Sequence, residues 1–494
     1  MKFLLLLIFL LAVVLRFLYF PQNTYFGFDQ ARDAYAVKEI IGGHFKITGP
    51  PTATGIINHG VLYYYIFTPF YLLANGDPAA VSAFLRILNA AGVFILFPIV
   101  TVMFGEIAAI FSVFLFAVSF EQTQFSLFLN HPSLAVISIL VFYLGLAYWI
   151  FRKKIWGLYI VLLGLGFSIQ FEFVETQLIA IFLLFILFFR KKLPKLTIKN
   201  IIISVLLFIL PVSSFIISEI KNNFIIIKNA PDGMGSASSL SQFVFIITRH
   251  IHDNLIANNI GAIIIGLILL VSLVTLILKR MHTDQTIFLI FWFFGGLLVY
   301  FFTSNDAYFY NTGTGIALLI FAGFILSKIF STNKFLTLVI LILIIISNMY
   351  LITKNNPLGP NQKINPQIGL LIEDEKRVID YIYQKANKDN FAVNALTMPY
   401  NVNTTWSYLF EWYGKGKYGY VPVWGGDAAL GFPGNLKVET ARSELPAKRF
   451  LIIEPLEGIP TYTSDAFIKN EQSYSEVLEK KKFGTIEVWV QKAK

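Results

Sequence analysis

The sequence predicts a mainly α-helical, polytopic membrane domain followed by a small α/β domain, and three observations carry that prediction. The chain has 494 residues, of which 56% are hydrophobic and 14% charged, more apolar surface than a single soluble core can hide. Residues 1–352 read as successive apolar runs, most of membrane-crossing length, joined by short polar loops. Beyond them, the Pro- and Asn-rich stretch "KNNPLGPNQKINPQ" gives way to sequence of ordinary globular character.

The first run, "FLLLLIFLLAVVLRFLYF", is long for a leader peptide and no small-x-small cleavage site precedes Pro21, so it reads as an uncleaved first span. Residues 21–81 then form a large first outer loop. Further runs cover Ser82–Phe104, Ile107–Gln122, Leu134–Ile150, Ile155–Ile169, Phe173–Phe189, Ile201–Ile217, Ile260–Leu278, Ile287–Phe302, Gly313–Leu326 and Phe335–Leu351. Together they make about eleven spans.

Orientation follows from where the cations fall. Lys2, Arg152 to Lys154, Arg190 to Lys199, Lys279, Arg280, Lys328 and Lys334 occupy one set of alternate loops, and the opposite set is poorer in Lys and Arg although longer. The positive-inside rule places the N-terminus in the cytoplasm of a cell-membrane protein and everything after Leu351 outside. The net charge of +10 is thereby topology information and not a nucleic-acid footprint.

Residues 353–370 read as a linker and 371–494 as a soluble α/β domain. "EDEKRVIDYIYQKA" and "NTTWSYLFEWYGK" have helical character, and "NFAVNAL", "RFLIIEP" and "GTIEVWVQK" have strand character. The tail carries no phosphate loop, GxGxxG or zinc signature. The absence of cysteine excludes disulfides, thiolate catalysis and Cys-ligated metals.

With this orientation only Glu106 and Asp284 of the membrane part fall inside. Asp29, Asp33, Glu39, Asp77, Glu121, Glu172, Glu175, Glu219, Asp232, Asp253 and Asp306 all fall outside or at outer span ends, which suggests a polar cavity opening outward; interfacial solvation explains the same placement. In "FGFDQARDAYAVKEII" Asp29 and Asp33 share one helix face with Arg32 beside them. One carboxylate can act as a general base while the other positions, or the pair is a juxtamembrane anchor held by Arg32 and Lys38.

The rest of the loop, "GPPTATGIINHGVLYYYIFTPFYLLANGDPAAVSAFLRILNAAG", orders a proline pair, His59-Gly60, the Tyr63–Tyr65 run, Gly76-Asp77-Pro78 and Arg86. With "FSLFLNHPSL", "GLGFSIQFEFVE" and "NDAYFYNTGTGIALLIFAG", this resembles the GT-C superfamily of membrane glycosyltransferases, in particular the bacterial protein O-mannosyltransferase and aminoarabinose transferase groups. The resemblance covers roughly the first 350 residues. It implies transfer of a sugar from a polyprenyl-phosphate carrier, outside the membrane, to a lipid, glycan or protein acceptor.

Under that resemblance Asp29 matches the loop acid that acts as base or orients the acceptor, and Arg86 the arginine near the carrier phosphate. The chain departs from the family in having Asp29-Gln30 for an Asp–Glu pair, and Glu172 where relatives place histidine. The chemistry agrees: displacing a lipid phosphate needs a base for the incoming hydroxyl and positive charge for the departing group. Asp29 and Asp33 are the candidate catalytic acids, and Arg86, Arg32 and His59 the candidate phosphate ligands. Asn130, His131, Glu172, Tyr63, Tyr64 and Asp306 are candidates for the acceptor pocket. Asp29 with Glu172 or Glu175 could bind a divalent cation if the fold brings them together, and the sequence leaves that open. A transporter or flippase of lipid-linked intermediates is the alternative, but no inverted repeat supports it. A receptor or scaffold would leave the long first loop unexplained.

Overall fold

The computed structural model describes residues 1–494 except 53–56, 225–227, 229–234, 362, 366 and 429–430. The membrane part contains α1 (Lys2–Phe17), α2 (Phe28–Ile41), α3 (Leu62–Leu73), α4 (Pro78–Phe104), α5 (Glu106–Val118), α6 (Phe120–Leu127), α7 (Pro132–Phe151), α8 (Ile155–Phe171), α9 (Gln177–Phe189), α10 (Ile198–Lys221), α11 (Leu240–Asn254), α12 (Asn259–Leu278), α13 (Thr283–Gly295), α14 (Thr314–Thr332) and α15 (Lys334–Asn355).

Among the described residues, six helices are long and apolar enough to cross a bilayer: α4, α7, α10, α12, α14 and α15. The α5–α6 pair, bent by 53°, makes a seventh if it counts as one span. The expectation of about eleven spans therefore meets six or seven full-length helices, with the remaining apolar runs shorter or broken. Hydropathy is continuous where the backbone is not. Ser119 interrupts the Ile107–Gln122 run because its hydroxyl accepts the Gln122 N–H at 3.1 Å and starts a new helix. The Ile287–Phe302 run is helical only to Gly295 and finishes as a 3-10 turn over Leu298–Phe301.

Local signals set the helix starts nearest the first loop. Asp77 accepts the Ala79 N–H at 2.9 Å and Pro78 fills the first helical position of α4; Pro132 does the same for α7 after His131. Helices α7 and α8 touch backbone to backbone, since a Cβ on Gly145 would lie 2.5 Å from the Val161 nitrogen.

The tail forms α16 (Ile372–Ala386), β1 (Phe391–Leu396), α17 (Thr404–Leu409), α18 (Lys415–Tyr418), β2 (Val423–Trp424), β3 (Lys448–Ile453), α19 (Thr461–Tyr474), β4 (Ser475–Phe483) and β5 (Ile486–Ala493). The sheet order is β2-β1-β3-β5-β4, with β1 parallel to β2 and β3 and the β3–β5–β4 edge antiparallel. The expected helix "EDEKRVIDYIYQKA" and the three expected strands are all present, whereas β2, α19 and β4 lay outside the sequence reading. The second expected helix exists as α17 and α18 joined by a π-helical turn over Phe410–Gly414.

The two parts share one buried apolar cluster that runs from Ile8 in α1 to Val488 in β5. The first loop pairs with the tail through Phe26 N–H to Leu370 O at 3.1 Å and Ile372 N–H to Thr24 O at 2.9 Å. Glu411 clamps α2 from above, accepting from the Tyr35 hydroxyl at 2.6 Å and Lys38 at 2.8 Å. The C-terminal α/β part thus sits directly on α2, the helix that carries the candidate acids.

Candidate active site

Helix α2 begins at Gly27, whose N–H donates to the Gln30 side chain at 3.1 Å. Gln30 in turn donates from Nε2 to Leu129 O at 3.1 Å, which ties α2 to the turn before α7. A carboxylate cannot donate that bond, which accounts physically for Gln30 where the resemblance implies an acid. Arg32 bridges the two acids, with Nη1 at 2.6 Å from Asp29 and Nη2 at 2.8 Å from Asp33. The acids are not equivalent. Asp29 has a side chain 49% exposed, whereas Asp33 is 2% exposed and also accepts from the Tyr64 hydroxyl at 3.2 Å. Burial pushes the Asp33 carboxyl up to about 6, against the pull of the Arg32 guanidinium.

Asp29 and Arg32 open into a cavity of about 680 Å³ together with His59, Asn130, His131 and Glu172. His59 is brought there by Gly60, where a Cβ would meet the Gln170 side chain at 2.1 Å, so the loop can pass α8 only as glycine. His131 is held by its ring nitrogen Nδ1 at 2.5 Å from Phe171 O, and its N–H donates to Asn130 Oδ1 at 2.7 Å. The His59 and His131 rings lie 4.1 Å apart. Glu172, in the turn after α8, approaches both, at 3.7 Å from His59 Nδ1 and 3.6 Å from His131 Nδ1. Burial pushes the Glu172 carboxyl up to about 8 despite backbone N–H bonds, and holds the His59 imidazole down to about 3 with help from Arg32.

Ligand atoms of His59, His131 and Glu172 all lie within 4.8 Å of one another. His59 Nδ1 and Glu172 Oε2 are buried without a hydrogen-bond partner. Two imidazoles and a carboxylate, two of them with orphaned donor atoms, fit a divalent cation of zinc type. Of the acids the sequence left open as partners of Asp29 in such a site, Glu172 lines the same cavity and Glu175 is not among its lining residues.

Other sequence candidates stand elsewhere. Arg86 is fully buried among α1, the first loop and α4, donating to Arg16 O at 2.5 Å, Asn23 Oδ1 at 2.9 Å and Ser82 Oγ at 3.2 Å, and it does not reach the cavity. An arginine just inside a span is spent here on tying helix ends together. Tyr63 and Tyr64, expected in the acceptor pocket, are buried and not among the residues lining the cavity, Tyr63 packing against the His131 ring at 5.2 Å. Asp306 pairs with Lys363 at 2.7 Å on another face. Asp232 lies outside the described residues. What the sequence reading missed is the contribution from beyond Phe302: Tyr310, Asn365, Gln367, Met398 and Phe432 also line the cavity. The Asn and Gln content of "KNNPLGPNQKINPQ" was the available signal.

No family model and no curated protein sequence matches the chain. Solved structures do. The aminoarabinose transferase ArnT from Cupriavidus metallidurans, bound to undecaprenyl phosphate, superposes with a TM-score of 0.64 at 12% identity, covering 98% of this chain and 97% of ArnT. The archaeal oligosaccharyltransferase AglB from Archaeoglobus fulgidus, in complex with an inhibitory peptide and a dolichol-phosphate, superposes at 0.52 and 13% identity, covering 79% of this chain and 62% of AglB. At such identities the likeness is one of fold: the chain shares the fold of ArnT along nearly its whole length and that of AglB over most of it.

Proposed function

We propose that the protein is an integral membrane glycosyltransferase that moves a sugar from a polyprenyl-phosphate carrier to a hydroxyl-bearing lipid, glycan or protein acceptor on the outer face of the cell membrane. The observation that carries this reading is the cavity itself. It gathers a half-exposed carboxylate, a guanidinium and two imidazoles where the membrane helices meet the soluble domain, in a fold shared with a carrier-bound transferase.

Asp29 is the group that accepts the acceptor's proton. As the O–H bond breaks, a new bond forms from that oxygen to the anomeric carbon, and the bond from that carbon to the carrier phosphate breaks with its electron pair on phosphate. One displacement inverts the anomeric configuration, for a hexosyl or pentosyl group alike. Arg32 holds the Asp29 carboxylate in place at 2.6 Å, and its guanidinium with the His59 and His131 imidazoles faces the departing phosphate. Asp33 anchors Arg32 from behind. A divalent cation on His59, His131 and Glu172, when bound, would supply Lewis acidity toward phosphate oxygen.

Purified protein in a lipid bilayer is expected to transfer sugar from a polyprenyl-phosphate donor. Asp29→Asn, which keeps shape and removes basicity, should lower the rate about a hundred- to ten-thousand-fold at unchanged expression. Efficient turnover with a soluble nucleotide sugar alone, or near-normal transfer by Asp29→Asn, would overturn the assignment.

A further inference from the structure

On the face of α2 turned away from Asp29, a cavity of about 380 Å³ opens between α2, α3 and the π-helical turn Phe410–Gly414 of the tail. Asp29 and Lys38, which line different cavities, are separated by half a turn of rotation and about 14 Å of rise, so the helix itself stands between the two. Gly76 lets the new cavity form. Its φ is 89°, and a Cβ there would lie 3.0 Å from the Trp412 ring and 3.2 Å from the Tyr408 hydroxyl, which donates to Gly76 O at 2.6 Å. Charge inside the cavity is already matched. Glu411 accepts from the Tyr35 hydroxyl at 2.6 Å, Lys38 at 2.8 Å, the Asn435 N–H at 3.1 Å and Asn435 Nδ2 at 3.2 Å, which occupies its lone pairs. Uncharged groups are what remain. Tyr71 is 3% exposed, and its hydroxyl has no hydrogen-bond partner among the described residues. The Trp412 indole N–H and the Asn75 amide make no hydrogen bond among those residues either.

We propose that this cavity is a binding site for an uncharged saccharide of one or two rings, with a ring face on Trp412 and hydroxyls on Tyr71, Asn75 and the free N–H bonds of Lys38. A pyranose offers what these walls call for, a C–H face for an aromatic ring and a rim of hydroxyls that both donate and accept. Other ligand classes fit less well. An anion would meet the Glu411 carboxylate and a cation that is already paired, and a hydrocarbon chain would leave the Tyr71 hydroxyl and its polar neighbours without partners. The backbone agrees with a binding role, since the π-helical turn brings the consecutive residues Glu411 and Trp412 both to the cavity, and such turns recur at functional sites. The site goes beyond the transfer reaction and does not depend on it, because no step of that reaction uses a residue of this cavity.

The test uses the full-length protein in phosphatidylcholine nanodiscs and saturation-transfer NMR with maltose, cellobiose, lactose and N,N′-diacetylchitobiose, each at up to about 10 mM. At least one of these disaccharides is expected to bind. For that sugar, Trp412→Leu should weaken binding about tenfold through the lost ring contact, and Tyr71→Phe about fivefold, the loss of one neutral hydrogen bond. Because Tyr71→Phe removes a hydroxyl without a partner in the protein, its melting temperature should not fall, which separates a ligand contact from a structural role. Asp29→Asn, in the other cavity, should leave binding unchanged. Binding of none of the disaccharides overturns the proposal. So does binding that survives either ring variant unchanged or falls with Asp29→Asn, and so does a lowered melting temperature of Tyr71→Phe. Equal binding of the uncharged peptide acetyl-Gly-Asn-Gly-amide would make the cavity a peptide cleft and overturn it as well. Should Trp412→Leu fail to fold, Tyr71→Phe decides alone.

Discussion

Asp29 and Asp33 stand one helical turn apart and differ only in what covers them. Asp29 faces the cavity; Asp33 lies under α3, with one oxygen bonded to Arg32 and Tyr64 and the other buried without a partner. Asp33→Asn should therefore act by loosening Arg32. Transfer is expected to fall less than in Asp29→Asn, and a rate assay on both variants at matched protein level checks the order. Arg86 makes the opposite case. Its three buried bonds tie α1, the first loop and α4, so Arg86→Gln should destabilise the fold by about 1.5–3 kcal/mol. A lowered melting temperature with an unchanged donor KM in the surviving enzyme is the expected outcome. A raised KM at unchanged stability would return Arg86 to the carrier phosphate.

At the scale of elements, the site exists because three connections end at the same place. The first loop supplies His59, the α6–α7 turn Asn130 and His131, and the turn after α8 Glu172. Each donor is placed by a local feature: Gly60 permits the first, Pro132 fixes the second, and Glu172 marks where α8 stops. Because the three donors come from separate elements, a cation bound to them would couple those elements, and ligands that bind only the folded state raise its stability. Adding zinc to protein freed of metal by a chelator is expected to raise the melting temperature of the wild type and not of His131→Ala. An equal rise in both would remove these residues as ligands.

For the whole molecule, the basic loops and the cavity occupy opposite ends of the helices. Helices α7 and α8 start and finish respectively at the cavity, and Arg152 to Lys154 join them at the far end. With cations inside, a reporter that works only in the cytoplasm, attached after Lys494, should be silent; activity there would invert the orientation and the location of the reaction. The seam between domain and membrane part also holds a carboxyl pair. Glu454 accepts from Trp406 Nε1 at 3.0 Å, Gln367 Nε2 at 3.1 Å and Met398 N–H at 3.1 Å, yet burial pushes it up to about 7, and burial with the nearby Glu454 charge pushes Glu375 up as well. Between the ordinary carboxylate value and about 7 the folded state keeps a proton that the unfolded state has released. Stability should thus fall as pH rises through that window and level off above it. Melting temperatures from pH 5 to 8 check this, and Glu454→Gln should flatten the slope.

By itself the sequence determined the membrane class, the soluble tail with its principal helix and central strands, and Asp29 with Arg32 as neighbours on one helix. Each of these follows from composition or from contacts within a few residues, where periodicity and spacing act directly. Only the tertiary structure decided which candidates meet. His59, His131 and Glu172 are far apart in sequence, Arg86 was drawn into a helix-tying network, and Gln367 and Phe432 reached the cavity from the tail. It also decided which apolar runs are continuous helices, since hydropathy records burial or lipid contact but not a backbone broken at Ser119 or Gly295. A side chain's partners at long range depend on how whole elements pack, and that packing is set by surfaces that no local window contains.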